Sequence, residues 1–182
     1  MSVTVALLHA VNVGGHNRVA MSELRTALAK AELPGARTYV QSGNIVVDAA
    51  LSPEAVRARI EAVLADHFSV TTTALCRTGD QWAAIVAGNP FPQAAAAPAN
   101  LAVLFSRRPA TAEQIDTLDA ARKGEEAFKV TDYATYLHLP AGQGRSRLAA
   151  TASTLFKADA TMRNWRTVLA LKAMTDELKG AG

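Results

Sequence analysis

Cysteine is nearly missing from this chain: Cys76 is the only one. An intramolecular disulfide is therefore excluded, and with it a small cross-linked secreted scaffold. Aromatic residues are scarce at 5%, which leaves few rings to stack on bases. Charge is thin as well, with 19% charged residues and a net charge of +3. So slight a basic excess does not define a nucleic-acid binder unless the basic groups cluster. No apolar run approaches the ~20 residues that span a bilayer. The opening MSVTVALLHAVNVGG is apolar, but no basic residue precedes it as in a secretory signal. It reads as a buried first strand, and a cytoplasmic location is the expectation.

What is present is a chain of 182 residues, 49% of them hydrophobic, long enough for one sizeable core or two small fused ones. Val3, Val5, Leu7 and Val11 alternate with Ala6, Leu8 and Ala10, which predicts a strand covered on both faces. Met21, Leu24, Leu28 and Ala31 recur at helical spacing up to Pro34-Gly35. Arg37–Gln41 and Ile45–Ala49 read as strands joined by Ser42-Gly43-Asn44. Ser52-Pro53 opens a helix striped by Val56, Ile60, Leu64 and Phe68. Thr71–Arg77 reads as a strand, and Asp80 as the cap of a short helix ending at Gly88-Asn89-Pro90.

The order β-α-β-β-α-β plus one helix then recurs. Leu101–Ser106 is a strand, and Thr111 with Gln114 makes a capping box. Ala127–Thr131 and Thr135–Leu139 pair around Asp132, and Leu148, Ala152, Leu155 and Phe156 stripe a helix. A brief strand is expected at Thr161–Arg163, with Asn164 capping a last helix. The expected fold is α+β: two tandem ferredoxin-like (βαββαβ) half-domains with extra helices. Residues 1–91 form the first, 92–100 a linker and 101–182 the second. Because both first strands are apolar on two faces, the halves are expected to cover open sheet surface against each other or the extra helices. A groove between them is the expected ligand site.

Four segments carry candidate chemistry, and all lie at element ends. Asn12-Val13-Gly14-Gly15-His16-Asn17-Arg18 joins the first strand to the first helix. Paired glycines let backbone N–H groups approach an anion closely, and His16, Asn17 and Arg18 add donors. The segment is neither a Walker A loop nor a G-x-G-x-x-G fingerprint, so phosphate binding is not specified; taken alone, it is accounted for more readily as a tight strand-to-helix turn with polar decoration. Gln41, Ser42 and Asn44 sit at the hairpin turn, where the turn alone also explains Gly43 and Asn44. Ser42 has no His–acid pair nearby in sequence to make it a nucleophile. Gly142-Gln143-Gly144-Arg145-Ser146-Arg147 precedes a helix, with guanidinium groups suited to phosphate or carboxylate. Arg163, Asn164, Trp165 and Arg166 form the fourth segment, in which Asn164 serves as a helix cap and Trp165 as core.

His9, His16, His67 and His138 have no metal-ligand spacing with one another or with Cys76, so no metal is expected. Cys76 lies in a strand and reads as inert. Three functions follow from this pattern: binding of a small anionic molecule, a nucleic-acid-binding module using Tyr39, Tyr133 and Tyr136, or an enzyme with His9 or His16 as acid/base. The first is preferred.

Taken together, these segments resemble a bacterial family called domain of unknown function 1697. The matching motifs are Ala6-Leu7-Leu8, Asn12 to Asn17, Met21, Leu24-Arg25 and Thr38 to Asn44, followed by Asn89-Pro90-Phe91, Tyr136-Leu137-His138, Gly144-Arg145-Ser146 with Leu148, and Arg163 to Thr167. The resemblance implies a duplicated α+β fold and no established activity. The chain departs from the family at His9-Ala10, where Arg-Gly is usual. A histidine there makes any positive charge weaker and pH-dependent.

Overall fold

The computed structural model describes residues 2–180. Its elements run β1 (Ser2–Leu8), α1 (Met21–Lys30), β2 (Arg37–Tyr39), β3 (Asn44–Ala49), α2 (Pro53–Phe68), β4 (Ala74–Thr78) and α3 (Gly79–Ala87). They continue as β5 (Leu101–Ser106), α4 (Ala112–Ala121), β6 (Ala127–Val130), β7 (Thr135–His138), α5 (Arg147–Phe156), β8 (Ala160–Asn164) and α6 (Trp165–Gly180). Among the described residues this makes a mixed α+β chain with two four-stranded antiparallel sheets and six helices. The chain divides into two compact units, residues 1–83 with 170–182, and residues 84–169. That division runs through α3 and α6 rather than through residues 92–100, which hold two 3-10 turns.

In the first unit the strand order is β2-β3-β1-β4. Ala6 and Leu8 of β1 and Ile45 and Val47 of β3 face the stripes of α1 (Leu24, Leu28) and α2 (Ile60, Leu64), and all are buried. Full burial of each of these leucine, isoleucine and valine side chains contributes about 1.5–3 kcal/mol. Val3, Val5 and Leu7 point to the other sheet face and are buried as well, as expected for a strand apolar on both sides. The helix ends follow local chemistry. The Ser52 side chain accepts from Ala55 N–H ahead of Pro53, and α2 stops at Ser69 in left-handed geometry. For α3 the expected cap, Asp80, is corrected. Thr78 Oγ1 accepts from Gln81 N–H at 3.1 Å, and Gln81 Oε1 accepts from Thr78 N–H at 3.0 Å. This reciprocal pair is a capping box two residues earlier. Asp80 instead meets Lys179 Nζ at 2.6 Å, which holds its carboxyl below the usual carboxylate range.

The second unit has strand order β6-β7-β5-β8. Its core packs Ala102 and Leu104 of β5 and Leu137 of β7 against Leu118 of α4 and Leu148, Ala152 and Phe156 of α5. The capping box of Thr111 and Gln114 forms as the sequence predicts. On the opposite sheet face Tyr136 is buried, donates its hydroxyl to Ile85 O at 2.5 Å and lies tilted against Trp165 at 6.4 Å.

The two units share fine detail. In the first, Val5 of β1 pairs with Arg77 of β4; in the second, Val103 of β5 pairs with Arg163 of β8. Each arginine donates from Nη1 to the carbonyl of the residue before it, at 2.9 Å in both cases. The residue after each arginine, Thr78 or Asn164, caps the helix that follows.

Candidate functional site

The loop between β1 and α1 turns on left-handed backbone: Ala10, Asn12, Gly14, Gly15 and Asn17 all have positive φ. Asparagine and glycine adopt this region with least strain, so the residues from 12 to 17 are suited to the path they take. Asn12 is the clamp. Its Nδ2 donates to Val19 O at 2.9 Å and to Gln41 O at 2.7 Å, and its Oδ1 accepts from Val19 N–H at 2.9 Å. Asn17 Nδ2 ties back to Ala10 O at 3.0 Å, and a bridge between Val13 and His16 closes the tip. Gly14, Gly15, His16 and Arg18 are left on the exposed surface of this fixed loop.

The hairpin turn is locked to the same place. Leu8 N–H donates to Gly43 O at 2.8 Å, and Asn44 Nδ2 donates to Tyr39 O and Ser42 Oγ, each at 3.0 Å. Val40 takes φ 50, which ends β2 at Tyr39, two residues short of the expected Gln41. The first two candidate segments therefore meet within the first unit, joined by Asn12 and Gln41. Gln41 and Ser42 are exposed there, whereas Asn44 is fully buried and its amide serves the turn rather than a ligand. His9 is half-buried, with its carbonyl accepting from Thr72 Oγ1 at 2.5 Å.

In the second unit most of the candidate groups hold the fold together. Ser146 is buried and its Oγ caps α5 by accepting from Ala149 N–H at 2.9 Å. Asn164 Oδ1 accepts from Thr167 N–H at 2.9 Å, and Trp165 is buried in the aromatic core. Arg163 is buried on the sheet, bonded to Thr161 Oγ1 at 2.7 Å, and burial pushes its guanidinium down to about 10. It stays charged at neutral pH as part of the interior. Arg145 is exposed at the end of a 3-10 turn. Arg107 and Arg108, adjacent basic residues between a strand end and a proline just before a capping box, lie outside the four segments named above and line a cavity.

Cys76 behaves as expected for a strand thiol. Burial pushes it up to about 12, against a smaller downward pull from Arg57. The thiolate is the reactive form, so the native chain should react with a disulfide reagent at pH 8 far more slowly than the same chain in denaturant. The linkage has a definite sign. The unfolded thiol ionises near 9.0 and the folded one near 12, so its contribution to stability is complete below pH 9 and is lost as pH rises between these values. Equal labelling rates in the folded and unfolded chain would contradict this.

The class these features define is an α+β protein of two four-stranded antiparallel sheets in which both crossover loops carry basic residues. No helix among the described residues is long and apolar enough to cross a membrane. The chain belongs to the family described as protein of unknown function (DUF1697), whose model matches residues 1–136. A solved structure described as that of the conserved bacterial protein SP0830 from Streptococcus pneumoniae is similar with a TM-score of 0.77 and 20% identity; the match covers 97% of this chain and 99% of that one. At that identity the likeness is one of fold. No curated protein matches the chain.

Proposed function

We propose that the first unit binds a small phosphate- or carboxylate-bearing molecule at the Asn12–Arg18 loop. The observation that carries this reading is the pair Gly14-Gly15, exposed and at positive φ, whose N–H groups donate to no described residue while the loop around them is fixed. Successive unengaged amides in such a turn form an anion-binding concavity. Exposed His16 and Arg18 flank it with further donors, and Gln41 and Ser42 stand on the turn that the Asn12 clamp holds alongside. The reading is confined to the first unit and assigns no chemical step to His9 or His16.

The nucleic-acid reading draws less support. Of the three tyrosines, Tyr136 is buried and Tyr39 half-buried, leaving Tyr133 as the one exposed ring. The architecture is read as a duplication on the ferredoxin-like plan. What supports this is the shared strand order and the matched pairs Val5–Arg77 and Val103–Arg163.

The test is a thermal-shift panel of phosphorylated and carboxylated metabolites on the full chain, repeated with His16→Ala plus Arg18→Ala. Both residues are exposed, so the unliganded variant should melt close to the wild type. The expected result is stabilisation of the wild type by some anions at submillimolar concentration, absent in the variant. Stabilisation undiminished in the variant would overturn the site.

A further inference from the structure

The geometry points to a second, separate binding site in the second unit: a cavity under the loop between β5 and α4 that takes an anionic group carried on an aromatic ring, an aryl phosphate or aryl carboxylate. The cavity measures about 390 Å³, within the range of roughly 300–1,000 Å³ typical of small-molecule sites. Its walls differ in chemistry. Arg107 and Arg108 come from the loop and Thr111 and Gln114 from the start of α4, while Leu155 and Phe156 close it from the end of α5.

The loop is braced on both sides of the arginine pair. Arg107 N–H donates to Asp159 O at 3.0 Å, and Ser106 Oγ donates to Arg108 O at 2.6 Å. Backbone entropy lost on binding is therefore small at this point. Of the charged residues that line the cavity two are arginines and one is a carboxylate, Asp159, whose Oδ1 lies 3.9 Å from Arg107 Nε, with Asp159 largely and Arg107 partly exposed. An ion pair so long and so solvated is weak, and Arg108 forms no ion pair among the described residues. Net positive charge is left at the mouth of the cavity, and guanidinium forks match phosphate and carboxylate oxygens.

At the helix start two amides are taken within the capping box, Gln114 N–H by Thr111 Oγ1 and Thr111 N–H by Gln114 Oε1. The arginines supply the anion contact. Leu155 and Phe156, the latter nearly buried, supply an apolar wall against which a ring packs. A bare inorganic anion would leave that wall solvated, which is why the ligand class includes a ring. None of these residues belongs to the Asn12–Arg18 loop, so this site stands or falls independently of the first.

The experiment is a heteronuclear NMR titration of the full chain with phenyl phosphate, and separately with inorganic phosphate. With phenyl phosphate, saturable shifts should cluster on the segments 106–114 and 155–159, which contain the residues that line the cavity. Arg107→Ala plus Arg108→Ala should weaken binding by about tenfold or more while leaving the rest of the spectrum in place. Inorganic phosphate should bind at least several-fold more weakly. Leu155→Ala serves as a second variant and should narrow that gap. Shifts that never saturate, shifts centred on residues 12–18 alone, or undiminished affinity in the double arginine variant would overturn the site. Equal affinity for the two phosphates would overturn its ligand class.

Discussion

Gly43→Ala should lower the stability of the chain by about 2–4 kcal/mol, as two separate costs fall on one methyl group. Gly43 has φ +71, where a residue with Cβ pays about 1–2 kcal/mol. A Cβ built there would also lie 2.7 Å from Leu8 Cβ. That neighbour cannot swing aside, because Leu8 is buried in the first core and its N–H is bonded to Gly43 O at 2.8 Å. Forcing the two apart is overpacking, typically about 1–3 kcal/mol. Gly35→Ala is the matched control: φ is +73, yet nothing lies within 4 Å of the added methyl. Urea unfolding of both variants should show the control losing about half as much or less. Equal losses would mean that the contact with Leu8 constrains nothing.

Asn12→Ala should cost about 2–4 kcal/mol and should also loosen the candidate loop. The side chain makes three hydrogen bonds, to Val19 O, to Gln41 O and from Val19 N–H. Val19 is buried, so its N–H loses a partner with no water to replace it, a penalty of about 1–3 kcal/mol by itself. Asparagine also tolerates the φ of 56 at this position better than alanine does. Asn12→Gly separates the two causes, since glycine removes the strain and leaves the bonds missing. Hydrogen exchange at Val19, whose N–H is bonded to Asn12 Oδ1, should quicken in both variants, and any anion affinity of the loop should fall with it. Unchanged exchange at Val19, with a stability loss under about 0.5 kcal/mol, would show that the clamp is not needed.

The helix starts were legible where their signals are local. Ser52-Pro53, Thr111 with Gln114, and Asn164 each cap as the residues predict, because a cap bonds to an amide only two or three residues away. The same rule misled at α3, where Thr78 and Asp80 are both good caps; the deciding partner is Gln81, three residues after Thr78. Strand ends were less legible, since β2 stops where Val40 turns left-handed, against its own preference for extended backbone. Gly14 and Gly15 were visible as a loop that needs glycine. The role of Asn12 was not, because its partner Gln41 lies 29 residues further along the chain.

The arginines show the boundary most clearly. Arg18, Arg108 and Arg163 all sit at or near element ends and look alike in sequence, yet Arg18 and Arg108 are exposed while Arg163, in β8, is buried. The order of elements, the caps at Ser52, Thr111 and Asn164, the two-faced apolar strands and the family were determined by the amino-acid sequence alone, since periodicity and capping involve neighbours within a turn or two. Which polar groups reach solvent, and which are consumed by the interior, was decided only by the tertiary structure. That outcome depends on strands and turns that meet in space after long separations along the chain, and no local pattern encodes the meeting.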